Sequence, residues 1–68
     1  MKIELRLGTD DRQNVLAEDF LNRFGSRVEV SQKKSDGSNQ DPILVRVSDG
    51  RELRGFRQIK DCLRFWFI

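Results

Sequence analysis

The amino-acid sequence predicts a small α/β domain, ordered β-α-β-β-β-α, with parallel and antiparallel strands in one mixed sheet accompanied by helices. Residues 2–7, KIELRL, alternate charged with apolar side chains, the period of a pleated strand. From Arg12 the apolar period lengthens to that of an amphipathic helix, and RVEV at 27–30 restores a short β-branched run. Residues 41–63, DPILVRVSDGRELRGFRQIKDCL, then read as strand, tight turn, strand and helix. Strand, helix and strand in close succession form a βαβ unit with parallel strands and a right-handed crossover, whereas a tight hairpin must be antiparallel.

Each element has its own cause. Ile3, Leu5 and Leu7 supply one buried face of the opening strand. Gly8-Thr9-Asp10-Asp11 breaks the alternation and offers helix caps, because a carboxylate accepts the orphan N–H groups of a first turn. Leu16, Ala17, Phe20, Leu21 and Phe24 lie on one helical face, and Gly25 supplies a left-handed stop. Residues 32–40, QKKSDGSNQ, carry no apolar side chain and read as a solvated loop.

In the hairpin, Ile43, Val45 and Val47 form the expected core face. A two-residue loop at Asp49-Gly50 mixes core and solvent faces. A three-residue loop, Ser48-Asp49-Gly50 with Gly50 left-handed, sets Val45 opposite Leu53 and Arg46 opposite Glu52, which matches like with like and is the expected register. After Gly55, helical spacing directs Ile59, Leu63 and Trp66 to the sheet, with Phe56 at the start and Cys62 beside them. Phe65 and Ile68 then point to the flank or to solvent.

Sixty-eight residues make one domain, residues 1–68, near the lower limit for folding without disulfide or metal. Histidine is absent and Cys62 is the only thiol, which removes imidazole chemistry, an internal disulfide and any cysteine-rich zinc site. There is no apolar run approaching the ~18 residues of a membrane span. The opening alternation is unlike a signal peptide, so the cytoplasm is the expected location. Asp10 and Asp11 read as helix caps rather than an acid–base pair, since no further catalytic partner accompanies them. Asp36, Asp41 and Asp49 lack the spacing of a calcium loop.

The order of elements, with Pro42 before a strand, Asp49-Gly50 in a hairpin and Arg54-Gly55-Phe56 leading into the last helix, resembles the thioredoxin-like fold. Within it the glutaredoxins are closest, with a shortened connection similar to that of selenoprotein-W-like members. The resemblance implies a cis bond at Asp41–Pro42. It also implies a redox motif at Asp11-Arg12-Gln13-Asn14, where the start of a helix lowers a thiol pKa. No cysteine stands there, and Arg57-Gln58 replaces the acidic residues that help glutaredoxins hold glutathione. Positions 11–14 and Pro42 are therefore expected to be a degenerate redox site, without cofactor or catalysis. Cys62, on an apolar helix face, reads as a packed, inert thiol.

From residue 43 onward six basic side chains face three acidic ones, a bias that suits an acidic protein or nucleic acid. A solvated face is the plainer reading, because no exposed aromatic is evident among the charges. The apolar tail is read either as core closure or as a surface for a partner or a second copy. The candidate partner surface is Phe65, Phe67, Ile68, Arg54, Arg57, Lys60 and Arg64. The expected function is regulatory or inhibitory protein–protein binding by a non-catalytic thioredoxin-like domain, such as a phage or mobile-element accessory protein. A nucleic-acid-binding module using the basic helix face is the alternative, and homodimerisation is open.

Overall fold

The computed structural model describes residues 1–34 and 37–67. β1 (Lys2–Leu7) is followed by α1 (Asp11–Asn22), β2 (Glu29–Lys34), β3 (Ile43–Arg46), β4 (Glu52–Arg54) and α2 (Gly55–Cys62). The strands lie in the order β2-β1-β3-β4. β1 and β2 are parallel, while β3 is antiparallel to both β1 and β4. The predicted α/β class, element order and mixed sheet are those observed.

Helices cover one face of the sheet. Ile3, Leu5, Leu44 and Leu53 from the strands meet Ala17 and Leu21 of α1 and Ile59 and Leu63 at the C-terminal end, with Phe20, Phe24, Phe56 and Trp66 packed around them. Phe20 meets Phe24 and Phe56 edge-on, at centroid distances of 5.4 and 6.2 Å, the geometry favoured by the aromatic quadrupole. α1 starts where Asp10 caps it: its Oδ1 accepts the N–H groups of Arg12 and Gln13 at 3.1 and 3.4 Å. Gly25 is left-handed (φ 57°), as expected, and opens a 3-10 turn through Arg27.

Four expectations are corrected. β2 extends over Glu29–Lys34, so Gln32, Lys33 and Lys34 belong to the strand and not to the loop expected at 32–40. The parallel ladder pairs them with Leu5, Arg6 and Leu7, and backbone pairing needs no apolar side chain. Of the rest of that loop, residues 35 and 36 lie outside the described residues.

The hairpin register is the second correction. Leu44 faces Leu53, Val45 faces Glu52, and Ile43 faces Arg54. The loop is Val47 through Gly50, closed by Gly50 N–H to Arg46 C=O at 2.7 Å and Arg46 N–H to Arg51 C=O at 2.8 Å. One extra loop residue shifts the pairing by one and exchanges the faces. Leu44, not Ile43 or Val45, joins Leu5 on the helix side, and Val47 lies exposed in the turn. Ile43 and Val45 are nonetheless buried. On the helix-free face they lie between Arg6 and Arg54 and between Glu4 and Glu52, whose stems shield them.

Third, Asn14 and not Leu16 is buried on α1. Fourth, the Asp41–Pro42 bond is trans. Pro42 is fully buried, and the chain arriving at it runs beside Gly8–Asp10, with Thr9 and Asp10 N–H donating to Asn39 and Gln40 C=O at 3.0 and 3.1 Å. The approach bends at Gln40 and Asp41, and these two hydrogen bonds hold it with the peptide bond trans.

Candidate functional site

The N-terminal end of α1, the approach to Pro42 and the start of α2 meet in one hydrogen-bonded cluster. Gln13 is its centre. Its Nε2 donates to Asp41 Oδ1 at 2.9 Å and to Asp10 Oδ2 at 3.2 Å, and its Oε1 accepts the Phe56 N–H at 3.1 Å. Gly55 N–H donates to Pro42 C=O at 2.7 Å. Gly55 is left-handed (φ 81°), and a Cβ there would lie 3.6 Å from Gln13 Oε1. Asn14 fastens the same region from below: its Oδ1 accepts Gly8 N–H at 2.9 Å while its Nδ2 donates to Gly8 C=O at 2.8 Å.

Of Asp11, Arg12, Gln13 and Asn14, only Gln13 is bonded to the segment at Pro42, through Asp41, while Asn14 is bonded to Gly8. Gln13 and Asn14 are committed to internal hydrogen bonds, and Asp11 and Arg12 are exposed. The bonds from Gln13, first its side chain and then its N–H, hold the Asp10 carboxyl below its ordinary pKa, with partial burial opposing. No thiol stands in the cluster, since the only cysteine is Cys62. Among the described residues no group of three or more His, Cys, Asp or Glu is arranged to hold a metal. Cys62 is half-buried on α2, packed against the core.

The second region is the basic C-terminal face. Arg57 and Lys60 are exposed on α2, Arg54 precedes it and Arg64 follows it. None of the four pairs with a carboxylate among the described residues. After Cys62 the chain tightens into a 3-10 segment, Leu63–Phe67, so consecutive tail residues diverge. Leu63 is buried, Trp66 and Phe67 are half-buried, and Phe65 is 57% exposed beneath the Arg64 guanidinium, 5.4 Å from its ring centre. Phe67 stacks on Phe24 at 5.2 Å under Arg27, so only part of its surface faces outward. Ile68, also expected on this surface, lies outside the described residues.

Arg46 was not expected here. Its guanidinium lies 4.9 Å from the Trp66 ring centre and is gripped by Asp49, whose Oδ1 accepts Nε at 2.9 Å. Asp49 also accepts the Arg51 N–H at 3.2 Å. An open cleft of about 410 Å³ lies here, and Arg46, Arg51, Glu52, Cys62, Phe65 and Trp66 are among the residues that line it. Periodicity gave no signal for this pairing, which depends on where the 3-10 segment turns Trp66.

The Arg46 bond, followed by the Arg51 N–H, lowers the Asp49 pKa from 3.8 to about 2, against a smaller opposing desolvation. A carboxylate with a depressed folded-state pKa stabilises the fold fully above its unfolded value and loses that contribution as pH falls through the folded one. Part of the stability is thus expected to disappear between about pH 4 and pH 2. Urea midpoints measured across this range for wild type and Asp49→Asn should converge at the acid end.

No helix among the described residues is long and apolar enough to cross a membrane. Compared with protein-family models, curated proteins and solved structures, the chain gives no match.

Proposed function

We propose that the chain is a non-catalytic binding protein of thioredoxin-like type, glutaredoxin-like in layout, that regulates or inhibits an acidic protein by docking on its C-terminal face. Two features support the fold reading: the sheet order β2-β1-β3-β4, and the hydrogen-bonded meeting of Gln13, Asp41-Pro42 and Gly55-Phe56. The trans Asp41–Pro42 bond departs from that family's habit. Where a redox motif would stand, side-chain amides hold the elements together. A thiolate nucleophile is needed for disulfide exchange, and Cys62 belongs to the other end of α2.

The observation that carries the binding reading is Phe65, a ring 57% exposed with the Arg64 guanidinium 5.4 Å from its centre. Arginines beside an aromatic anchor make an interface centre, and their charge selects an acidic surface. The test is affinity capture with wild type, Phe65→Ser and an Arg57→Glu/Arg64→Glu variant. One acidic protein should be retained by wild type and lost from both variants, with unchanged thermal melts. Equal retention by all three rejects the reading.

The same ring favours a second reading, since single-stranded nucleic acid binds where bases stack beside a cationic path. Anisotropy with a labelled oligonucleotide separates the two. Binding that persists near physiological salt and is lost in Phe65→Ser supports nucleic acid, whereas weak binding that vanishes with salt and ignores Phe65→Ser is ordinary phosphate attraction.

A further inference from the structure

The two edges of the sheet differ. β4 is three residues long, and its outward Arg54 N–H is taken by Gln58 Oε1 at 2.7 Å. β2 has six residues, all exposed. Glu29 N–H donates to Met1 C=O at 2.8 Å, so by strand alternation Glu29, Ser31 and Lys33 direct their backbone groups towards β1. The N–H and C=O groups of Val30, Gln32 and Lys34 face outward, with no partner among the described residues.

We propose that this edge pairs with β2 of a second copy of the chain, antiparallel, with Ser31 at the two-fold axis. In this register Val30 meets Gln32 of the second copy, and both direct their backbone groups at each other, as a hydrogen-bonded pair requires. The side chains agree. Glu29 falls opposite Lys33 of the second copy, on the helix-free face, and the two-fold repeats the pair. Lys33 already contacts Glu4 of its own chain at 3.1 Å, and Lys2 lies level with Glu29. Arg6 lies level with Lys33, so the charge match across the junction is the Glu29–Lys33 pair itself, made twice by the two-fold. Registers centred on Val30 or Gln32 instead set Ser31 opposite Glu29 or Lys33.

Lysines on a strand edge discourage arbitrary pairing. Here Lys33 has its counter-charge on the same strand, which makes a second copy the fitting occupant. On the helix side, half-exposed Val30 borders an open groove of about 280 Å³ reaching Leu5 and Leu21, and pairing brings a second Val30 to the same flank. This surface is separate from the C-terminal face, so failure of either proposal leaves the other standing.

The test is sedimentation velocity over a concentration series, with thermal melts as a control for folding. Wild type should form a reversible dimer. Gln32→Pro should be monomeric, because proline removes an outward N–H and leaves the β1 ladder intact. Glu29→Lys and Lys33→Glu should each weaken the dimer roughly tenfold, and the double reversal should restore it. Phe65→Ser should leave it unchanged. If Gln32→Pro fails to fold, the charge reversals decide. A wild type that stays monomeric at millimolar concentration overturns the proposal, and so does a dimer that ignores both the proline and the charge reversals.

Discussion

Leu44→Ala is expected to lower the unfolding free energy by about 2–5 kcal/mol, whereas Val47→Ala should change it by less than about 0.5 kcal/mol. Leu44 is fully buried at the centre of the sheet, between Leu5 on one side and Leu53 on the other, beneath both helices. Truncation removes its transfer free energy and leaves a cavity that close-packed neighbours cannot fill. Val47 occupies the turn, 57% exposed, and contributes a backbone N–H to Lys2 C=O that alanine retains. A domain of this size has a total stability of only about 3–10 kcal/mol, so the leucine variant lies near the unfolding threshold. Urea titrations with unchanged slope measure the difference. The opposite ranking would restore the phase in which Ile43, Val45 and Val47 face the helices.

Gly8→Ala is the second large effect, expected at about 1–3 kcal/mol or more. A Cβ at residue 8 would come within 2.1 Å of Gln40 O and 2.7 Å of the Asp41 carbonyl carbon. These are backbone atoms, so the crossing segment itself must move. It carries the Asn39 and Gln40 carbonyls that receive Thr9 and Asp10, and the Asp41 carboxylate that receives Gln13. Gly25→Ala makes the control. That glycine is left-handed with open space around it, so alanine there meets only the backbone penalty of about 1–2 kcal/mol. Equal losses at both positions would show that close approach at Gly8 is not what requires glycine.

Most of the architecture was legible because it follows from local chemistry. Strict alternation in KIELRL set β1, Asp10 announced the start of α1, and helical spacing placed Ile59 and Leu63 in the core. What escaped were decisions taken across the sheet. Alternation in ILVRV favours the phase of Ile43, Val45 and Val47 over that of Leu44 and Arg46, and only the loop length and the pairing of Leu44 with Leu53 overturn it. β2 escaped because its length is set by β1, not by its own polar residues. Asn14 reads as an unremarkable helix-surface residue until Gly8 is found beside it. At the candidate sites, the positions around Gln13 were singled out by resemblance, but the amide bridging of three segments was invisible. In the tail, helical spacing already separated Trp66, packed on the core, from the exposed Phe65; what it missed was Phe67, which the 3-10 turn stacks on Phe24.

The stack of Arg46 on Trp66 makes the protein its own optical gauge. The sequence holds one tryptophan and no tyrosine, so ultraviolet emission comes almost entirely from an indole with a cation held over its ring. Indole emission shifts when such a charge moves. The Arg46 guanidinium is tied to Asp49 in the β3–β4 turn, and Phe65 borders the same cleft. A molecule seated on the C-terminal face should therefore shift the emission without any attached dye. The β2 edge lies at the far side of the sheet, where pairing leaves the indole undisturbed. One spectrum, recorded beside a sedimentation profile, thus separates an event at one end of the sheet from an event at the other.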